Sequence, residues 1–284
     1  MAIFSNQATL TYNGSTTNSN IVYGELLEVL TATKTAVEST YLPGELVTYV
    51  VTLRNTGSTA LSGLTVTDDL GGYPFGTATL YPLTYETDSI LVFANGIPQA
   101  TPAVTAGPPL VISGIPIPAG GDTVIVYQAR VNSFASPESD GTIVNTVTIT
   151  GGGLVTPVTA TETVTAESAP ALTITKSISP SQVVDNQQIT YTFVIQNTGN
   201  TPVVATDNAA ITDTFDPILS DLAVTFDGTA WTQGTQYNYT PATGVFATVP
   251  GLIVVPAATY TQDPTTGAYS ITPGTATLTV TGTV

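Results

Sequence analysis

Phe4-Ser5-Asn6-Gln7-Ala8-Thr9-Leu10-Thr11-Tyr12, near the start of the chain, reads as a second version of Ile143-Val144-Asn145-Thr146-Val147-Thr148-Ile149-Thr150-Gly151 in its middle. Each places an Asn two positions after an apolar residue and then alternates apolar residues with Thr. Side chains two apart share a face of a β-strand. Phe4, Asn6, Ala8, Leu10 and Tyr12 therefore line one face, as do Ile143, Asn145, Val147 and Ile149. The later stretch closes a run of strand-like sequence. The earlier one has no such run before it, which makes it a strand expected to complete a domain elsewhere.

Working outward, Leu30, Ala32, Lys34 and Ala36 alternate with Thr31, Thr33 and Thr35. Pro43-Gly44 marks a turn, Val47 to Asn55 (VTYVVTLRN) a strand, and Thr56-Gly57 another turn. Leu64, Val66, Asp68 and Leu70 then alternate with Thr65, Thr67 and Asp69, and Thr123 to Val131 precedes the Asn145 strand. From Leu172 the order returns. Tyr191 and Asn197 follow Lys176 at the spacings by which Tyr49 and Asn55 follow Lys34, and Ile211, Asp213 and Phe215 take the Asp68 place. Gly274 to Val284 matches Gly121 to Val131, with no counterpart of the Asn145 strand after it. The expected organisation is a donor strand at 1–13, a flexible connector at 14–28, a β-sandwich at 29–155, a connector at 156–171, and a second β-sandwich at 172–284 that lacks its last strand.

Composition agrees with an all-β chain. The 284 residues suffice for two domains, and the 20 acidic and 4 basic residues give a net charge of −16. That charge disfavours nucleic acid and anionic membranes as partners. There is no Cys and no His, which removes disulfides, thiolate metal sites and the commonest general base and metal ligand. No signal peptide and no apolar run of membrane-spanning length is read.

A sandwich missing a strand leaves an apolar groove and unpaired backbone groups, and a strand from another chain satisfies both. Because donor and acceptor are different surfaces, such contacts propagate head to tail. The other arrangement folds residues 1–13 back onto the second domain of the same chain, through a connector long enough to reach.

The two Lys of the chain hold equivalent positions on apolar faces, and Asp68, Asp213, Asn145 and Asn6 face the same way. Lys, Asp and Asn in one core are the set for an isopeptide bond. Burial lowers the Lys pKa and raises that of Asp, so a neutral amine attacks the Asn carboxamide while a protonated Asp polarises it and moves protons. The triads are Lys34, Asp68 and Asn145 within the first domain, and Lys176, Asp213 and Asn6 across a subunit junction. The plainer arrangement is a buried Lys–Asp ion pair with a hydrogen-bonded Asn. Glu25 and Glu167, each nine residues before a Lys, are either rival carboxylates or, the preferred reading, residues of a solvated connector.

TATKT around Lys34, VTYVVTLRNTG with Tyr49 and Asn55, VTDDL with Asp68 and IVNTVTIT with Asn145 resemble the "domain of unknown function eleven" family of bacterial and archaeal surface and spore-associated proteins. The resemblance covers both domains. It implies immunoglobulin-like sandwiches with a structural role, some of whose relatives resemble isopeptide-bonded adhesin domains. The layout also resembles spore-appendage fibre subunits, which typically use Cys where this chain has none.

Asp68-Asp69 and Asp207-Asn208 lack the spacing of a calcium loop, so no metal is expected. Trp231, Tyr237 and Tyr239 suit either a sugar platform or ordinary packing. No cofactor motif and no constellation for turnover of an external substrate is present. The reading is a self-polymerising fibre subunit on an extracellular, cell or spore surface. A monomeric adhesin binding through Leu80 to Pro109 or Thr225 to Pro264 is the competing one.

Overall fold

The computed structural model describes residues 2–26 and 28–284, without the side chains of residues 2, 3, 25 and 26. It is all-β, with two immunoglobulin-like β-sandwiches in tandem behind an N-terminal β-hairpin. Helical structure among the described residues is one 3-10 turn, Ala205–Asp207. Among these residues no helix is long and apolar enough to cross a membrane.

Domain 1 packs two six-stranded sheets face to face. The first contains, in order, Leu91–Ala94, Asp122–Val131, Leu46–Asn55 and, at its edge, Leu30–Ala36. The second runs through Leu110–Ile117, Leu61–Asp68, Thr142–Gly151, Val158–Ala166 and the short Thr40–Tyr41. Strict alternation fills the core: Val47, Tyr49, Val51 and Leu53 from one sheet meet Leu64, Val66, Val147 and Ile149 from the other.

Domain 2 repeats the first sheet almost in full. Leu172–Ser179, Gln188–Asn197, Gly274–Thr283 and Ser220–Phe226 lie in that order. The repeat extends to its turns. Asn55 donates to the carbonyls of Thr59 and Pro118 and accepts from Gly57 N–H. Asn197 does the same with Thr201, Pro256 and Gly199. The second sheet of domain 2, by contrast, has three short strands: Thr212–Thr214, Val245–Thr248 and Tyr237–Thr240. Nothing among the described residues of this domain stands where Thr142–Gly151 and Val158–Ala166 stand in domain 1.

Two stretches expected to be connectors are strands. Val158–Ala166 pairs with Thr142–Gly151 and packs over the Leu30–Ala36 strand. Its Val164 and Ala166 are buried, so domain 1 extends past residue 155. The expected flexible segment at 14–28 contains Ser15–Asn18 and Val22–Leu26. These pair with Thr9–Tyr12 and Ala2–Asn6 to make one hairpin. Its tip is Asn13-Gly14, both at positive φ (42° and 79°), the backbone of a two-residue hairpin turn that matches strand twist. Donor strand and connector are thus one element, held by side-chain bonds such as Gln7 Nε2 to Ser19 O (2.8 Å) and Thr9 Oγ1 to Asn18 Oδ1 (2.9 Å).

The hairpin and domain 2 occupy opposite poles of domain 1. Leu30 pairs with Asn55 at one end of its strand, where Glu28 accepts from Thr156. Domain 2 sits at the other end, beyond Tyr41: Asn200 donates to the carbonyls of Pro137 and Glu167, and Tyr269 N–H to Ser133 O.

Candidate functional site

The site is best understood as one arrangement present twice, complete in domain 1 and open in domain 2. In domain 1, Lys34 reaches inward from the edge strand of the first sheet. Asp68 and Asn145 reach inward from adjacent strands of the second, in a register that sets Asp68 opposite Val147. Lys34, Asp68 and Asn145 are all buried. Lys34 Nζ donates to Asp68 Oδ2 at 2.6 Å and lies 4.7 Å above the Tyr49 ring, a cation over an aromatic face. Burial holds the Lys34 amine below its ordinary pKa of 10.5, although the attraction of Asp68 opposes that shift.

The sequence places Asp68 on the amide of Asn145; the structure places it elsewhere. Asp68 Oδ2 accepts from Lys34 and from the Tyr127 hydroxyl, and its Oδ1 accepts from Leu70 N–H at 2.8 Å. The group in contact with the Asn145 amide is Tyr127, whose hydroxyl accepts from Nδ2 at 3.5 Å. Asp68 is therefore an acceptor for three donors, with Tyr127 between it and the amide. Tyr127 and Tyr49 are cross-strand partners with rings stacked 5.5 Å apart. In the sequence Tyr49 is marked only by the repeat and its motif, and Tyr127 only as an inward-facing aromatic, neither pointing to the Asn145 amide.

In domain 2, Lys176 Nζ donates to Asp213 Oδ2 at 2.5 Å and lies over Tyr191 (4.4 Å), with Phe193 and Phe215 nearby. The pair is the same, but the setting is open: the Lys176 side chain is 40% exposed, against 0% for Lys34. The whole Leu172–Ser179 strand is exposed, with Leu172 at 44%, Ile174 at 53% and Ile178 at 44%, whereas Leu30 at the equivalent of Leu172 is at 4%. The physical reason is the missing cover. In domain 1 the Asn145 strand and Val158–Ala166 lie over this face; in domain 2 the Thr212–Thr214 strand pairs with Val245–Thr248 on one edge and with no described strand on the other.

Asn6, the expected third member of that site, lies on the hairpin opposite Val22, as Asn145 lies opposite Glu162. It makes no contact with Lys176 or Asp213 within the chain. The face it shares with Phe4, Ala8, Leu10 and Tyr12 is bare, with Phe4, Leu10 and Tyr12 each about three-fifths exposed (59%, 61% and 60%).

No family model matches the chain, and no curated protein matches it in sequence. Among solved structures, the full-length major pilin SpaD from Corynebacterium diphtheriae is similar at 12% identity over 86% of this chain and 59% of that one (TM-score 0.37). The pilus backbone protein RrgB from Streptococcus pneumoniae is similar at 13% identity over 86% and 55% (TM-score 0.34). The N-terminal domain of the Streptococcus gordonii adhesin Sgo0707 is similar at 13% identity over 54% and 36% (TM-score 0.35). The chain spans less than two thirds of each of these three.

The remaining candidates resolve into packing. Trp231 stacks on Phe226 at 5.0 Å, and Tyr237 and Tyr239 are buried. Glu167 binds Tyr41 and Asn200 through its backbone at the domain junction. The Glu25 side chain lies outside the described residues, as does Met1.

Proposed function

We propose that this chain is the subunit of an extracellular or surface fibre of the "domain of unknown function eleven" kind, assembled when the hairpin at residues 2–26 of one molecule covers the open face of domain 2 in the next. The observation that carries this is the pair of bare, complementary surfaces. One is a strand that is covered in domain 1 and uncovered in domain 2. The other is a hairpin whose sequence and antiparallel pairing repeat those of the missing cover. Transferring the domain 1 register, with Asn6 in the place of Asn145, puts Ala8 opposite Asp213 and Asn6 beside Lys176. The new strand continues the sheet at its free edge, and the apolar face of the hairpin fills the groove.

The placement of hairpin and domain 2 at opposite poles supports assembly between molecules over folding back within one. With Val22–Leu26 a strand, only residues 27–29 link hairpin and domain 1, a reach of about 10 Å. Crossing domain 1 means passing the nine residues of Val158–Ala166, about 30 Å of strand. A second copy supplies the hairpin without that stretch.

In domain 1 the same reading has Lys34 Nζ attack Asn145 Cγ. The Nζ–Cγ bond forms, Cγ–Nδ2 breaks, and ammonia leaves, with no oxidant required. Lys176 and Asn6 react likewise across the junction, so that a chain without Cys becomes covalently continuous. Boiled samples on a denaturing gel, with intact mass taken on each band, test this. The expected result is a ladder of multimers, each having lost one ammonia per bond. Monomer of full mass, with no filaments in electron micrographs, overturns it. Removing residues 2–26 is expected to leave monomers; a monomeric adhesin would keep its binding unchanged.

A further inference from the structure

We propose that Tyr127 and Tyr49 divide the work on the Asn145 amide in domain 1: Tyr127 relays a proton to the leaving nitrogen, and Tyr49 donates to the amide oxygen as it gains charge. This rests on the proposed Lys34–Asn145 bond and adds the groups that make it form.

The geometry begins at the nucleophile. Lys34 Nζ and the Tyr127 hydroxyl both donate to Asp68 Oδ2, and Asn145 Nδ2 donates to the Tyr127 oxygen. A single line of hydrogen bonds therefore runs from the attacking amine, through the carboxylate and one phenol, to the nitrogen that must depart. Attack makes Nζ positive, and its proton passes to Asp68. The Tyr127 hydroxyl then turns about its C–O bond, gives its proton to Nδ2, and takes the Asp68 proton in exchange. Asp68 and Tyr127 end as they began, and ammonia is released. Tyr127 stays a neutral phenol throughout, in keeping with a pKa that burial, and then the Asp68 charge, push well above the ordinary value.

The second role comes from what is left unpaired. Among the described residues, the buried side-chain N and O atoms without a hydrogen-bond partner are the Tyr49 hydroxyl and Asn145 Oδ1. Both belong to this site: the Tyr49 ring is stacked on that of Tyr127, whose hydroxyl accepts from the Asn145 amide. Buried polar atoms are seldom left unmatched. Here the mismatch ends when Oδ1 becomes the oxyanion of the tetrahedral adduct and Tyr49 donates to it, the arrangement of an oxyanion hole.

Domain 2 keeps only half of this. Tyr191 takes the place of Tyr49, but Val280, its cross-strand partner, stands where Tyr127 stands. The junction bond is left without the relay.

The test follows ammonia loss by intact mass over time, on full-length chain made by cell-free synthesis, for wild type, Tyr127→Phe, Tyr49→Phe and Asn145→Ala. Each tyrosine variant removes a single hydroxyl. Tyr127→Phe is expected to slow the domain 1 bond about a hundredfold, the range for a lost general acid–base group. Tyr49→Phe is expected to slow it about a hundredfold or more, as for a lost oxyanion donor. Asn145→Ala should lose no ammonia from domain 1. Wild-type rate in a folded Tyr127→Phe protein overturns the relay, and in Tyr49→Phe it overturns the oxyanion donor. If wild type itself loses no ammonia, the bond is what fails. Should either variant not fold, the wild-type rate in deuterated water decides: a slowing supports proton relay in the limiting step, and an unchanged rate overturns it.

Discussion

Lys34 and Lys176 are the same residue in the same strand of the same repeat, and they differ in what covers them. That difference is measurable on the monomer, because no other Lys exists in the chain. An amine-reactive reagent is expected to label Lys176 and leave Lys34 untouched, and assembly should then protect Lys176; peptide mapping before and after assembly reads both. Equal labelling of the two lysines in the monomer would contradict the burial contrast. The pH dependence follows from the lowered Lys34 pKa. A buried amine that titrates below 10.5 becomes a nucleophile at lower pH than a free lysine, so the rate of ammonia loss should rise with pH and level off before pH 10.5. Alkali acts oppositely on stability. Burial pushes the Tyr41 phenol up to about 12, and raises Tyr49 and Tyr127 as well. Above pH 10 the unfolded chain releases these protons first, so domain 1 should lose stability as pH rises through that window, which melting curves between pH 9 and 12 will show. Lys34, Asp68 and Asn145 were legible in the sequence because alternation fixes which face each occupies and the repeat marks all three positions. Tyr127 was not. An inward-facing tyrosine reads as core, and only the packing of one sheet on the other brings it to the Asn145 amide.

At the level of elements, the sequence yielded the strands with apolar alternation and missed those whose alternation is diluted by polar residues. In Val158–Ala166 the inward positions are Val158, Ala160, Glu162, Val164 and Ala166, so a carboxylate interrupts the apolar face, and the glycines at 151–153 before it suggest a linker. Ser15–Asn18 has no apolar residue at all. It is a strand because Asn13-Gly14 turns the chain back onto Thr9–Tyr12, and that dipeptide was the available signal. The consequence for domain 1 is direct. A fragment of residues 29–166 is expected to fold and close its Lys34–Asn145 bond. One of residues 29–155 loses Val158–Ala166, uncovers the Leu30 strand as the Leu172 strand is uncovered in domain 2, and strips buried Val164 and Ala166 from the core. The shorter fragment should melt well below the longer one in calorimetry, and equal stability would show that the strand is dispensable. On the hairpin the expectation is reversed. Leu10→Ser and Tyr12→Ser change residues that are exposed in the single chain, so the monomer's stability should move by no more than about 0.5 kcal/mol while assembly is lost.

At the scale of the molecule, the proposed assembly uses the hairpin at one pole of domain 1 as donor and the open face of domain 2 at the other as acceptor. Two unlike ends make the contact heterologous, and a heterologous contact has direction. Direction gives a test that no single-chain arrangement passes. A chain lacking residues 2–26 keeps its open domain 2 and can accept a hairpin, but it offers none to the next subunit. Added as a minor component to intact chain, it should join one end of a growing fibre and stop growth there. Mean fibre length in electron micrographs should then fall as its fraction rises. The same truncation combined with Lys176→Met should still stop growth but leave that last junction open to boiling, because the groove is filled without a bond. If the hairpin instead folds back onto its own domain 2, every intact chain is already satisfied, and the truncated chain will neither enter fibres nor change their length.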